Sequence, residues 1–155
     1  MKTITINGKD LKLEFTYEAA ECKELVQKMF GVVSGAYILK NGSKGKAAAI
    51  YDGTAEMVGE IPQICKIAFY AGLLENDPVT EDEAKALMKA YMKENNLSYA
   101  GLYKEIKQCM EDDGFFELSG LNEMLRDMNE EAVAQTEQNQ PKTPQDHQKK
   151  STSTK

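Results

Sequence analysis

Residues 3–15, the segment TITINGKDLKLEF, alternate between apolar and polar side chains on both sides of a central Asn-Gly pair. Alternation with a period of two places the apolar residues on one face of a strand. The central Asn7-Gly8 pair is typical of a two-residue hairpin turn, and a longer loop over residues 7–10 is the alternative. The sequence therefore predicts a β-hairpin over residues 3–15, with one face that another element must cover. The apolar positions are Ile4, Ile6, Leu11 and Leu13.

From Thr16 onward the apolar residues recur every three or four positions, which is the helical period. An amphipathic helix is predicted over residues 17–30 with Thr16 as its N-cap, and the simplest packing lays its stripe on the hairpin. Asp52-Gly53-Thr54 predicts a turn, and Pro62 suits the first position of a new helix. That helix is expected at the centre of the core, through Ile64, Cys65, Ala68, Phe69 and Leu73.

Three more helices are predicted after residue 78. Thr80 and Glu83 have the spacing of a capping box, Ser98 is a second cap, Gly114 ends that helix, and Ser119 caps the last one. The predicted fold is mainly α, an N-terminal β-hairpin followed by a bundle of about five to six helices over residues 1–131. Residues 132–155 are polar and predict a disordered tail, because they offer little apolar surface to bury.

Charge and composition narrow the classes of function. The chain has 155 residues and a net charge of −6, so it lacks the basic face that nucleic-acid binding requires. No apolar run is long enough to span a membrane, and no leader segment is recognised, so a cytoplasmic location is expected. The three cysteines, Cys22, Cys65 and Cys109, are predicted to be small buried hydrophobic residues.

No pattern of catalytic, cofactor-binding or metal-ligating residues is found. The only histidine, His147, lies in the predicted tail, where it would lack the partner that orients a catalytic base. The segment KNGSKGK, residues 40–46, suggests a phosphate-binding loop, but Lys40 replaces the first glycine and Ala47 replaces the hydroxyl residue of that motif. A surface turn is expected there, and a small phosphate-using enzyme is one rival hypothesis.

The arrangement of the methionines is the remaining feature of the sequence that bears on function. The chain has eight methionines, and two pairs of them lie one helical turn apart. Such pairs are usual in cores, but flexible and polarizable methionine side chains also suit surfaces that bind varied apolar helices. Together with the hairpin, they form the predicted partner-binding set: Ile4, Ile6, Leu11, Leu13, Met88, Met92, Met124 and Met128.

Three segments of the sequence carry a resemblance to a known family: ITINGKDLKLEFTYEAAE, EIPQICKIAFYAGLL and GFFELSGLNEMLRDM. They resemble the tail assembly chaperones of long-tailed bacteriophages, particularly siphophages and prophages of Gram-positive bacteria. The most specific feature of the resemblance is a hairpin with an Asn-Gly turn that leads directly into a helical body. The resemblance covers residues 1–131. Residues 31–53 have no part in it.

The resemblance implies a viral protein that binds the tape measure protein, keeps it soluble and helps recruit tail tube protein. It implies a role in the host cytoplasm and absence from the mature virion. The polar tail fits the short form of a family that is often made in two lengths by ribosomal frameshifting. A homo-oligomer through the hairpin edge is a further expectation. The alternative is a small helical adaptor or regulatory protein without chaperone duty.

Overall fold

The computed structural model of the chain describes residues 1–35 and 46–138, with side chains at residues 1–35 and 53–130. Within these residues two strands precede seven helices. The expected fold class, mainly α with an N-terminal β-hairpin, is confirmed. The elements are β1 (Lys2–Ile6), β2 (Lys9–Leu13), α1 (Tyr17–Glu21), α2 (Lys23–Val33), α3 (Lys46–Leu73), α4 (Glu81–Glu94), α5 (Tyr99–Asp112), α6 (Phe115–Leu118) and α7 (Leu121–Gln138).

The hairpin has the turn that its sequence predicts. Asn7 has a φ of 51° and Gly8 a φ of 76°, which are the two positive values of a type I′ turn. The strands are antiparallel with Ile6 opposite Lys9, so the loop is two residues long. All four apolar side chains of the hairpin lie on one face and are buried.

The hairpin is covered mainly by α3 and α4, and not, as the sequence predicted, by a helix over residues 17–30. The backbone N–H of Glu14 donates to the carbonyl oxygen of Gly72 in α3 at 2.8 Å. The predicted helix is divided at Cys22, whose ψ of 91° is extended. As a result α1 turns toward α3 and α6, while α2 packs on α3.

Helix α3 lies at the centre of the molecule and contacts β2, α1, α2, α4 and α5. The five residues predicted for its core face are all buried. The predicted turn at residues 52–54 and helix start at Pro62 are wrong, because α3 runs unbroken from Lys46 to Leu73. Pro62 removes the hydrogen bond to the Val58 carbonyl. Both residues are exposed, so water can take the place of the lost donor.

Local capping signals are confirmed in α4 and α5. Thr80 and Glu83 form a complete capping box at the start of α4. The Ser98 hydroxyl accepts from the Gly101 N–H at 3.1 Å. Gly114 has a φ of 76° and follows the end of α5, as its sequence position predicted. These motifs form because each is satisfied by residues within one turn.

Two predicted caps are different in the structure. Thr16 precedes α1, but its hydroxyl donates to Glu75 at 3.2 Å and makes no capping bond. Ser119 ends α6 instead of capping α7, and its buried hydroxyl has no hydrogen-bond partner among the described residues. The extra helix α6 arises because Phe115 and Phe116 are both buried, which folds the segment into the body before α7 begins at Leu121.

The capping box makes stability depend on pH. The Glu83 carboxylate accepts from the N–H and hydroxyl of Thr80, both at 2.8 Å, and these bonds lower its pKa. A carboxyl whose pKa is lower in the folded chain contributes stability above its unfolded pKa and loses it as the pH falls through the folded value. Glu83→Gln should therefore lower the melting temperature at pH 7, and the difference from wild type should close as the pH falls through the lowered pKa of Glu83.

Glu81→Gln is the control for this prediction, because Glu81 lies in the same first turn without a part in the capping box. It should show a smaller loss, because only its interaction with the helix dipole is removed and the capping box stays intact. Thermal unfolding followed by circular dichroism across this pH range measures both variants. A Glu83→Gln difference that stays constant with pH would contradict the assignment.

The last helix runs beyond the predicted domain boundary at residue 131 and ends at Gln138. The segment EEAVAQTEQ is rich in good helix formers, which explains the continuation. The rest of the predicted tail, residues 139–155, lies outside the described residues.

Candidate functional site

Helix α7 exposes two large apolar side chains on one face. Met124 is 53% exposed and Met128 is 45% exposed. They are four residues apart, so their side chains lie one turn above the other on the same side of the helix. These two residues are called the methionine face below.

An open groove of about 330 Å³ follows the methionine face. It is lined by Gly120, Met124 and Met128, together with the carboxylate side chains of Glu123 and Asp127. The two acids are also four residues apart, so they form a parallel row beside the methionines. The arrangement combines an adaptable apolar strip with a fixed row of negative charge.

The methionine face is exposed because of how α7 is attached. The helix packs on α6, and Leu121 is its one described residue that enters the hydrophobic core. Leu125 is partly buried one turn later. One edge of α7 therefore holds the helix to the body, and the adjacent face is open to solvent.

The other predicted partner-binding residues are part of the core. Ile4, Ile6, Leu11, Leu13 and Met88 are between 1% and 3% exposed. Met92 is partly buried and packs against the same core. In the folded chain these side chains pack against its own core, so they are not part of an exposed apolar surface. Of the eight residues, Met124 and Met128 are the pair that the fold leaves exposed.

The two edges of the hairpin differ in how they are covered. The Lys12 N–H of β2 donates to Asp77 at 3.0 Å, and the Glu14 N–H donates to Gly72. On β1 the backbone groups of Thr3 and Thr5 point away from β2, because they alternate with the hydrogen-bonded pairs. Among the backbone groups of residues 1–35 and 46–138, none is a hydrogen-bond partner of these outward N–H groups.

A charged cluster joins β1 to α4 and α5. Glu105 accepts from the Lys2 ammonium at 2.6 Å and from the Tyr91 hydroxyl at 2.9 Å. Burial alone would lower the pKa of Lys2, but the bond to Glu105 and the surrounding charges outweigh it and raise the pKa. Burial likewise would raise the pKa of Glu105, and the two hydrogen bonds outweigh it and lower the pKa. Each group is satisfied by the others, as in a structural anchor.

The buried thiols fit the predicted structural role. Burial raises the pKa of Cys65 to about 12 and also raises that of Cys109, so both are held as thiols.

Cys22 is partly buried and lines a recess of about 60 Å³. This volume is well below the roughly 300–1,000 Å³ of typical small-molecule sites. The other charged and aromatic residues around it are Glu24, Lys66, Tyr70 and Glu81.

The described part of the chain contains no group of three or more histidine, cysteine or acidic side chains placed to hold a metal ion. It also has no helix long and apolar enough to cross a membrane. The glycine-rich loop considered for phosphate binding falls outside the described residues except for Lys46, which begins α3. His147 is also outside them.

The chain was compared with models of known protein families, with curated proteins and with solved structures, and none of the three comparisons gave a match. The resemblance to phage tail assembly chaperones therefore stays a hypothesis drawn from the sequence pattern.

The sequence prediction missed the acidic half of the groove. Glu123 and Asp127 each precede a methionine of the exposed pair by one position. The acids are four residues apart, and so are the methionines that follow them. This shared spacing places both pairs on adjacent rows of one helix, and it could have identified the acids from the sequence.

Proposed function

We propose that this chain is a tail assembly chaperone of a long-tailed bacteriophage. In this role it binds the tape measure protein, keeps it soluble and helps recruit tail tube protein during assembly. The observation that carries the proposal is the methionine face of α7, two large apolar side chains kept in solvent on a helix that Leu121 joins to the hydrophobic core.

The physical properties of this surface support such a role. A tape measure protein is long and mostly helical, so its chaperone must accept many different apolar helix faces. Methionine has three rotatable bonds and a polarizable sulfur, so it can repack against varied surfaces. The net charge of −6 helps keep a carrier of apolar cargo in solution.

The proposed protein acts by binding and makes or breaks no covalent bond. It works in the host cytoplasm and leaves before the virion is complete. Self-association through the hairpin, where it occurs, uses the outer edge of β1, since Asp77 and Gly72 already occupy β2.

Co-expression with the tape measure protein from the same genome tests the proposal. We expect the tape measure protein to shift from the insoluble to the soluble fraction by several fold and to co-purify with this chain, because its apolar helices are covered. The control is the tape measure protein expressed alone. A tape measure protein that stays insoluble in both cultures would contradict the chaperone role and favour the adaptor hypothesis.

A further inference from the structure

We propose that the methionine face binds a basic amphipathic helix. Its apolar side chains would lie on Met124 and Met128, and its lysine or arginine side chains beside Glu123 and Asp127. The identity of this helix as a segment of the tape measure protein rests on the proposed function, whereas the chemistry of the site does not.

The apolar half of the site follows from exposure and spacing. Met124 and Met128 are about half exposed and lie one turn apart along an open groove. A helix laid along α7 would place apolar residues at its own i and i+4 positions against them. Exposed methionine pairs on a helix are suited to this mode because their side chains adjust to the partner.

The charge of the partner follows from the charge of the rim. Between residues 117 and 130 the exposed acids are Glu117, Glu123, Asp127 and Glu130, and the exposed base is Arg126. The two acids in the groove wall stand beside the methionines on every turn. A partner with positive flanks is attracted to this rim, and a partner with negative flanks is repelled.

The same charges argue against a second copy of this chain as the occupant. Two α7 helices packed through their methionine faces would bring the Glu123 and Asp127 rows of both copies together. Like charges placed opposite each other at an interface are unfavourable. The complementary partner is therefore a different, basic helix.

Peptide binding tests the inference directly. The probe is a fluorescein-labelled helix of about 20 residues, about 30 Å long, with leucine on one face and lysine on its flanks. Its twin carries glutamate in place of every lysine. Fluorescence anisotropy with the full chain should show the lysine peptide binding at least about tenfold more tightly than the glutamate peptide, with a preference that decreases as salt increases.

Two double variants measure separately how the apolar and the acidic side chains of the site contribute to peptide binding. Met124→Ser with Met128→Ser should weaken the lysine peptide about tenfold, because the apolar contact is lost. Glu123→Gln with Asp127→Asn should reduce the preference for lysine over glutamate while leaving the apolar contact. All four side chains are exposed, so the fold is expected to tolerate the changes.

Matched controls exclude attraction to the acidic surface in general. Val58→Ser removes an equally exposed apolar side chain from α3. Glu81→Gln with Asp82→Asn removes the same charge from α4. Both controls should bind the lysine peptide as wild type does. Equal binding of the two peptides, or equal losses in site and control variants, would overturn the inference.

Two further readouts separate the inference from the proposed function. If Met124→Ser with Met128→Ser still keeps the tape measure protein soluble, that protein binds elsewhere on the chain, so the identification of the bound helix as its segment fails while the chaperone role stands. If wild type binds the peptide but leaves the tape measure protein insoluble, the chaperone role fails and the peptide site stands. A dimer in sedimentation that dissociates in the methionine double variant would identify a second copy as the occupant and overturn the inference.

Discussion

Replacing Phe15 by alanine is expected to lower the free energy of unfolding by about 3–5 kcal/mol. The Phe15 ring is fully buried and makes an edge-to-face contact with Phe115, with the ring centroids 6.3 Å apart. Its backbone N–H donates to the Asp113 carboxylate at 2.9 Å, which fixes the ring at the junction of hairpin and helices. A cavity there removes contacts with α3 and α6 together, because Gly72 of α3 also approaches the ring.

The expected loss is a large fraction of the roughly 5–15 kcal/mol by which an ordinary domain is stable. Urea unfolding followed by far-ultraviolet circular dichroism measures it. Tyr17→Ala is the matched control, since that aromatic side chain is two positions away and 70% exposed. The control should stay within about 0.5 kcal/mol of wild type. Equal losses in the two variants would mean that Phe15 does not occupy the core position described.

Replacing Gly72 by alanine is expected to lower the free energy of unfolding by about 1–3 kcal/mol. In an ordinary helix this change stabilises by up to about 1 kcal/mol, because alanine is the better helix former. At Gly72 the added Cβ would come within 2.9 Å of the Phe15 Cζ and 3.1 Å of a Leu13 methyl carbon. Both neighbours are buried, so they cannot move aside without disturbing the core.

Gly59→Ala provides the opposite result in the same helix. Apart from the adjacent residues and the backbone of its own helix, no described atom lies within 4 Å of the Cβ that this change would add, so the variant should gain about 0.5–1 kcal/mol. A Gly72→Ala loss should also shrink when Phe15 is changed to leucine in the same chain, because the shorter side chain leaves room for the methyl group. Stabilisation by both glycine substitutions would rule out the close contact between hairpin and α3.

Short-range features of the fold could be predicted from the sequence because they are satisfied locally. The Asn7-Gly8 turn needs two residues that adopt positive φ. The Thr80–Glu83 capping box closes within one helical turn. The apolar face of α3 follows from spacing alone, and its residues are buried as predicted.

Long-range features needed the tertiary structure. The alternation of the hairpin required a cover, and α3 and α4 supply most of it instead of the predicted helix over residues 17–30. Pro62 predicted a helix start, yet it lies inside α3 because its position faces solvent. In both cases the local pattern is compatible with more than one arrangement of the chain. Only the packing of segments distant in sequence selects one arrangement.

The candidate site shows the same division most clearly. The sequence determined by itself that Met88 and Met92, like Met124 and Met128, are pairs spaced by one helical turn. Tertiary structure alone decided that Met88 is in the core and that Met124 and Met128 are in solvent. The physical reason is that spacing fixes which side chains share a face of a helix, whereas exposure depends on whether another element packs against that face.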